Sequence, residues 1–151
     1  MKVFNLISSK ELDILCLTET KIIDSKACLA NCTPAGYSHF QVQRPKAVKS
    51  GAGGVATIVK SCFLPVKRIL SKVSVKYFEF LALEIVPKIN AKPFILVTVY
   101  RPPNPSHIMN FSEEFREFYD WNFDDTRTNV VLVGDFNIHV NDQNDNKAGS
   151  F

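Results

Sequence analysis

Apolar and polar positions along the chain fall into short runs separated by turn-forming residues, and most runs have the length of a strand. Residues 12–18 (LDILCLT) form a brief apolar run rich in branched side chains, which suits a buried strand. Residues 39–43 alternate moderately and read as another strand. The SGAGG stretch at 50–54 is a turn, after which residues 55–59 (VATIV) read as a strand. Residues 77–86 (YFEFLALEIV) alternate in part and predict a long strand, closed by a turn at 87–90 (PKIN). Phe94–Tyr100 (FILVTVY) is dense in β-branched and aromatic residues, as a central strand is. Pro102-Pro103 stops it, because proline cannot donate to a ladder. Residues 129–136 (NVVLVGDF) predict a further buried strand.

One segment changes period clearly. Phe111, Phe115, Phe118 and Tyr119 recur at i, i+4, i+7 and i+8, which makes one apolar stripe on a helix over 111–123. Asn110 stands where it can cap that helix, and Glu113 where a capping box puts its acid. Aromatic residues at this spacing read as core packing rather than a cofactor box. Strands dominate, with at least one helix after a strand, so the pattern implies an α/β (α+β) domain with a sheet-rich core. No repeat or low-complexity linker divides the chain, and 151 residues make one domain.

Composition fits that picture: 46% hydrophobic and 22% charged residues can bury a real core and need not be disordered. The opening stretch MKVFNLISSKELDILCL is interrupted by Ser, Lys, Glu and Asp, so it lacks the apolar core of a signal peptide. No run reaches membrane-spanning length. The expectation is a nuclear or cytoplasmic protein that is not secreted and has no membrane partner, although no dense Lys/Arg cluster marks an import signal. Cys28 and Cys32 are spaced C-x3-C, without a second pair or a His-x3-His, so a zinc site is not expected. Cys16 lies inside an apolar run and reads as a buried thiol.

Charge is unevenly spread around a net of +3. Residues 41–92 hold ten Lys or Arg against Glu79 and Glu84, a local +8, whereas residues 110–151 hold three basic and nine acidic residues, a local −6. Either these are solvated faces of opposite sign, or a polyanion-binding surface lies beside an acidic, metal-attracting site.

Two acids sit where a core would not choose them: Glu19 directly after LDILCLT, and Asp135 after VVLV and Gly134. A carboxylate ending an apolar strand is costly unless solvated or paired. Two of them converging at one sheet edge would form a site for a hard cation. Asp135, Asn137 and His139 alternate, so an extended segment aims all three to one side, where a carboxylate, an amide and an imidazole suit a phosphate and a metal.

The order of the motifs says more than any one of them. Leu17-Thr18-Glu19-Thr20, Gly53-Gly54-Val55-Ala56, Val99-Tyr100-Arg101-Pro102-Pro103 and Val133-Gly134-Asp135-Phe136-Asn137, in that sequence, closely resemble the endonuclease/exonuclease/phosphatase superfamily. The runs DILCLTET, GAGGVATIV, FEFLALEI, VTVYRPPN and VVLVGDFNIHV look most like the apurinic-endonuclease-like domain of LINE-type retrotransposons. The resemblance covers nearly the whole chain, from about Val3 onward. It implies a four-layer α/β/β/α sandwich and a DNA endonuclease that hydrolyses a phosphodiester by in-line attack of water, leaving a 3′-hydroxyl and a 5′-phosphate. In the mobile element that nick primes reverse transcription, so the implied partners are DNA and a reverse transcriptase domain in the same chain.

Carried over residue by residue, the resemblance gives Glu19 the role of ligand to Mg²⁺ (or Mn²⁺), which polarises the scissile phosphate. Tyr100 orients or hydrogen-bonds the phosphate region. Asp135 activates the attacking water or protonates the leaving oxygen, and Asn137 holds a phosphate oxygen. Arg101 is either a supplementary cation on the DNA backbone or a member of a surface ion pair. His139 follows GDFN as it often does in retrotransposon members, without replacing the family's base, and His39 and His107 read as surface or loop residues.

The family pattern also includes an opening strand with an active-site Asn, for which Asn5 is wrongly placed, and a closing Ser-Asp-His segment. Neither is found in these 151 residues. The expectation is an incomplete sandwich, truncated at both ends, with exposed sheet edges and marginal stability or a need for a partner. Two other functions are compatible with the same residues: a catalytically inactive remnant, and a sister phosphatase such as a phosphoinositide phosphatase or sphingomyelinase. The LTET, YRPPN and GDFNIHV wording argues against the phosphatase.

Overall fold

A computed structural model describes residues 2–22, 28–42, 53–63, 66–69, 75–87, 90–123 and 129–138. The elements run α1 (Lys2–Lys10), β1 (Ile14–Leu17), α2 (Cys28–Cys32), β2 (Tyr37–Val42), β3 (Val55–Lys60), β4 (Val66–Ile69), β5 (Glu79–Ile85), β6 (Phe94–Tyr100), a 3-10 turn (Pro105–His107), α3 (Ile108–Phe123) and β7 (Asn129–Asp135). Two sheets form, β1-β3-β2 and β4-β5-β6-β7. All pairings are antiparallel except β6 with β7, which run parallel because α3 carries the chain back between them.

The two sheets face each other across one apolar layer. Alternation sends Leu81, Leu83 and Ile85 of β5 and Leu96 and Tyr100 of β6 toward Val55 and Val59 of β3, and all seven are buried. Within this layer the Thr57 and Thr98 hydroxyls, both fully buried, hydrogen-bond each other at 2.9 Å and fix the register of one sheet on the other. The opposite face of the four-stranded sheet carries Phe78, Ala82, Val97 and Val99, which α3 covers with Phe111, Phe118 and Phe123. Phe78 is the hub, with T-shaped contacts to Phe111, Phe115 and Phe118 at centroid distances of 5.6, 5.5 and 5.4 Å. Burying each such ring contributes about 1.5–3 kcal/mol, against about 0.5–1.5 kcal/mol for the edge-to-face geometry of a pair, so burial dominates. On the outer face of the three-stranded sheet Ile58 is buried, as are Ile7 of α1 and Leu29 of α2. His39, on that same face, bonds the Thr33 hydroxyl just beyond α2 at 3.2 Å. Helices therefore flank a pair of sheets, the mixed α/β sandwich that the sequence implied.

Several predicted boundaries shift for identifiable reasons. Phe94–Tyr100 forms as expected, and the strands over 12–18, 55–59 and 129–136 appear with ends moved by one to two residues; the strand expected from 39 begins at Tyr37, and residue 43 lies outside the described residues. The strand expected from 77 begins at Glu79, because the Lys76 and Tyr77 N–H groups donate to the Glu114 carboxylate (2.7 and 2.8 Å) rather than to a ladder. The helix expected from 111 begins at Ile108. It is led in by the 3-10 turn, whose cap is Asn104: its side-chain oxygen accepts from Ser106 N at 3.1 Å, with Pro105 at the first position. The capping box of Asn110 and Glu113 therefore does not form, and Asn110 donates to the Tyr77 hydroxyl instead. α2 and β4 are short and carry no periodic signal, and neither was predicted.

β7 closes one side of its sheet, with Val131 and Leu132 substantially exposed, and Phe4 and Leu6 are exposed on α1.

Candidate active site

The site is built at the end of the inter-sheet layer where β1, β6 and β7 all finish. Beyond β1 the backbone turns sharply: Glu19 and Lys21 have φ of +50° and +52°. A non-glycine residue in that region is held there by its surroundings at a cost of about 1–3 kcal/mol. What holds it is the Gly53-Gly54 turn. Thr20 N donates to Gly54 O (3.1 Å) and Lys21 N to Gly53 O (2.9 Å). Gly54 itself has φ +89°, and a β-carbon there would stand 2.5 Å from the Thr20 hydroxyl, so the close approach requires glycine. The result is an exposed Glu19 carboxylate presented at the strand end.

Tyr100 ends β6 and is 2% exposed, with its hydroxyl donating to Glu19 Oε1. In register it stands between Glu79 of β5 and Asp135 of β7, so the three residues form one row across the sheet, on the face that looks toward Glu19. Asp135 is exposed at the end of β7. The residue before it, Gly134, approaches β6 so closely that a β-carbon would fall 1.8 Å from Val99 O.

The segment after Asp135 departs from the extended form expected of it. Asn137 has φ +50°, its N–H donates to Asp135 Oδ1 (2.9 Å), and its side-chain amide donates to Arg101 O (2.7 Å). The alternation that was to aim Asp135, Asn137 and His139 to one side is thus broken at Asn137, because the aspartate folds the chain back on itself as an Asx turn. Asn137 still lies beside Asp135, and its amide nitrogen has a second hydrogen for another acceptor. His139 lies outside the described residues.

Arg101 departs further from expectation. It is 2% exposed, and its guanidinium donates to the carbonyls of Phe136 (2.5 Å), Asn137 (2.7 Å) and Asn104 (3.1 Å), 5.7 Å from the centroid of Phe111. Burial pulls its pKa below the ordinary value, and the nearby Asp135 pushes it back up. It is neither a surface ion pair nor a cation facing solvent. It clamps the turn after β6 to the turn after β7. His39 is bonded to the Thr33 hydroxyl, and His107 is stacked edge-on against Tyr77. Cys16, expected to be buried, is half-buried at the margin of the inter-sheet core.

Two participants escaped the sequence reading. Glu79 accepts from Gly54 N at 2.5 Å; an acid inside the alternating run 77–86 was its only signal. Asn104 caps the 3-10 turn with its side chain and receives Arg101 with its carbonyl.

Among the described residues no group of three or more His, Cys, Asp or Glu side chains surrounds a common point. Glu19 and Asp135 instead offer exposed hard oxygen donors where β1 and β7 end. This donor set fits Mg²⁺ or Mn²⁺, which commonly rests on one or two carboxylates and completes its shell with water and substrate phosphate.

Paired sheets flanked by helices, with Glu19, Tyr100 and Asp135 placed where the strands end, define a mixed α/β sandwich with a polar cluster at one end. The family described as "Endonuclease/Exonuclease/phosphatase family" matches residues 2–148, and the chain belongs to it. Among solved structures, the catalytic domain of human Nocturnin with a bound sulfate superposes with a TM-score of 0.67 at 17% identity, over 93% of this chain and 57% of that one. ANGEL2, described as a 2′,3′-cyclic phosphatase and solved with adenosine-2′,3′-vanadate, gives 0.67 at 19% identity, over 89% and 42%. TDP2 of D. rerio, complexed with a single-strand DNA product, gives 0.62 at 12%, over 91% and 53%. At these identities the likeness establishes the fold, and the chain spans roughly half the length of these structures. No curated protein matches the chain.

Proposed function

We propose that this chain contributes the core of a divalent-metal-dependent phosphodiester hydrolase that nicks DNA, of the kind the LINE-type retrotransposon resemblance implies. The observation that carries the reading is the Tyr100 hydroxyl bonded to Glu19, with Asp135 beside Tyr100 in register. Glu19 would hold Mg²⁺ or Mn²⁺, and the bound ion supplies Lewis-acid polarisation of the scissile phosphate. Tyr100 fixes one Glu19 oxygen and leaves the other for the cation. Asp135 has one oxygen engaged by Asn137 N and a second able to take a proton from the attacking water or return one to the leaving oxygen. The Asn137 amide, steadied on Arg101 O, can offer its remaining N–H to a phosphate oxygen. In the mobile element the product strand would prime a reverse transcriptase domain of the same polypeptide.

A second reading is a phosphatase of the same superfamily, favoured by the likeness to ANGEL2. A substrate panel separates the two. With Mg²⁺, supercoiled plasmid should be nicked while an inositol phosphate and a soluble phosphomonoester remain intact. Release of phosphate from either small substrate, without nicking, would reverse the ranking.

A further inference from the structure

We propose that Glu79 is a positioning residue for this site: its carboxylate holds the Gly53-Gly54 turn, and through that turn the backbone that presents Glu19. The proposal rests on the reading of Glu19 as the cation ligand.

Glu79 opens β5 in the four-stranded sheet, whereas Gly54 immediately precedes β3 in the three-stranded sheet. The Glu79 Oε2 to Gly54 N bond at 2.5 Å therefore spans the two sheets at the end where the site lies. An ionised acceptor makes such a bond roughly twice as strong as a neutral pair. The other carboxylate oxygen, Oε1, is shut off from solvent.

Two parallel backbone bonds tie this pair of glycines to the residues after Glu19. Gly54 O receives Thr20 N and Gly53 O receives Lys21 N, so the turn grips the residues that follow Glu19. Those two bonds keep Glu19 and Lys21 at positive φ, a backbone that relaxes once its support is loosened. The sheet that carries Tyr100 thus sets the Glu19 carboxylate from both sides: Tyr100 holds it directly, and Glu79 holds the backbone behind it. With Oε2 committed to an N–H and Oε1 enclosed, Glu79 acts through Glu19 and not on the substrate.

The test compares Glu79→Ala, Glu79→Gln and Gly54→Ala in the full chain by amide hydrogen exchange and by Mn²⁺ titration followed by electron paramagnetic resonance. Glu79→Gln keeps a carbonyl oxygen for Gly54 N, a neutral and weaker acceptor, so its changes should be clearly smaller than those of Glu79→Ala. Glu79→Ala should speed exchange at Gly54, Thr20 and Lys21 at least about tenfold, leave Val97 and Val99 protected, and weaken Mn²⁺ binding by about 10–100-fold, as loss of an outer-shell partner does. Gly54→Ala, which disturbs the same turn from the other side, should reproduce both changes. The proposal is overturned if Glu79→Ala leaves exchange at Thr20 and Lys21 unchanged. It is also overturned if exchange rises while Mn²⁺ affinity holds, or if Glu79→Gln is as impaired as Glu79→Ala. Should the parent chain take up no Mn²⁺, the metal reading fails separately, and the exchange result still decides whether Glu79 holds this backbone.

Discussion

Arg101 offers the sharpest contrast between what a residue suggests in sequence and what it does in the fold. An arginine after a strand, next to Tyr100, reads as a cation for the DNA backbone, yet its donors meet the carbonyls of Phe136, Asn137 and Asn104. Truncation to alanine would leave three carbonyls without their partner, each worth about 1–3 kcal/mol if kept dry. Asn104, Phe136 and Asn137 are all half-buried and their carbonyls can in part recruit water, so one to two carbonyls' worth at about 2 kcal/mol each, about 2–4 kcal/mol, is a fair net loss. The stacking on Phe111 adds about 1 kcal/mol. The sum, about 3–5 kcal/mol, is a large share of the roughly 5–15 kcal/mol that stabilises a typical domain. Urea unfolding of Arg101→Ala should show that loss, and Arg101→Lys should recover only part of it, because one ammonium cannot serve three carbonyls in a fork. A DNA-backbone contact predicts something else: stability would hold, and the slope of log affinity against log salt would fall by about 0.9. An Arg101→Ala chain as stable as the parent, with a salt slope reduced by that amount, would refute the clamp.

Three further outcomes follow from the same geometry. Gly134→Ala should destabilise by about 3 kcal/mol or more, since its β-carbon would fall 1.8 Å from a backbone oxygen that cannot swing away; thermal unfolding checks it. Thr57→Val should cost about 1–3 kcal/mol by orphaning the Thr98 hydroxyl, whereas Thr57→Val with Thr98→Val should be close to neutral, and a double-mutant cycle measures the coupling. Tyr100→Phe should slow plasmid nicking about 10–150-fold, the equivalent of one hydrogen bond to a charged group at about 1.5–3 kcal/mol, and lower the melting temperature by no more than several degrees, because the buried ring remains.

The parts of the fold that the sequence revealed are those set by local pattern. From Leu96 to Tyr100 the strand is buried on both faces, so its continuous run of branched and aromatic residues needs no partner to be read. The placement of Glu19 and Asp135 where strands end was legible because each acid directly follows an apolar run. The hidden parts depend on contacts distant in sequence or on backbone form. The start of α3 is decided by Asn104 and Pro105, upstream of the apolar stripe that announces the helix. Glu79 matters through a glycine 25 residues earlier in the chain. Asn137 turns back because Asp135 captures its N–H, which no periodicity encodes. Arg101 is buried only because three carbonyls from two separate turns converge on it, an arrangement that exists only once β6 and β7 are paired.

We propose that Glu19, bonded to Tyr100, and Asp135, its neighbour in register, form a metal-assisted phosphodiester-cleaving site. The most direct test incubates the purified, folded chain with supercoiled plasmid and Mg²⁺, alongside Glu19→Ala and Asp135→Ala. The account predicts nicked circles that accumulate only when Mg²⁺ is present and are lost in both variants. A folded chain that leaves the plasmid supercoiled, or variants that nick as well as the parent, would contradict it.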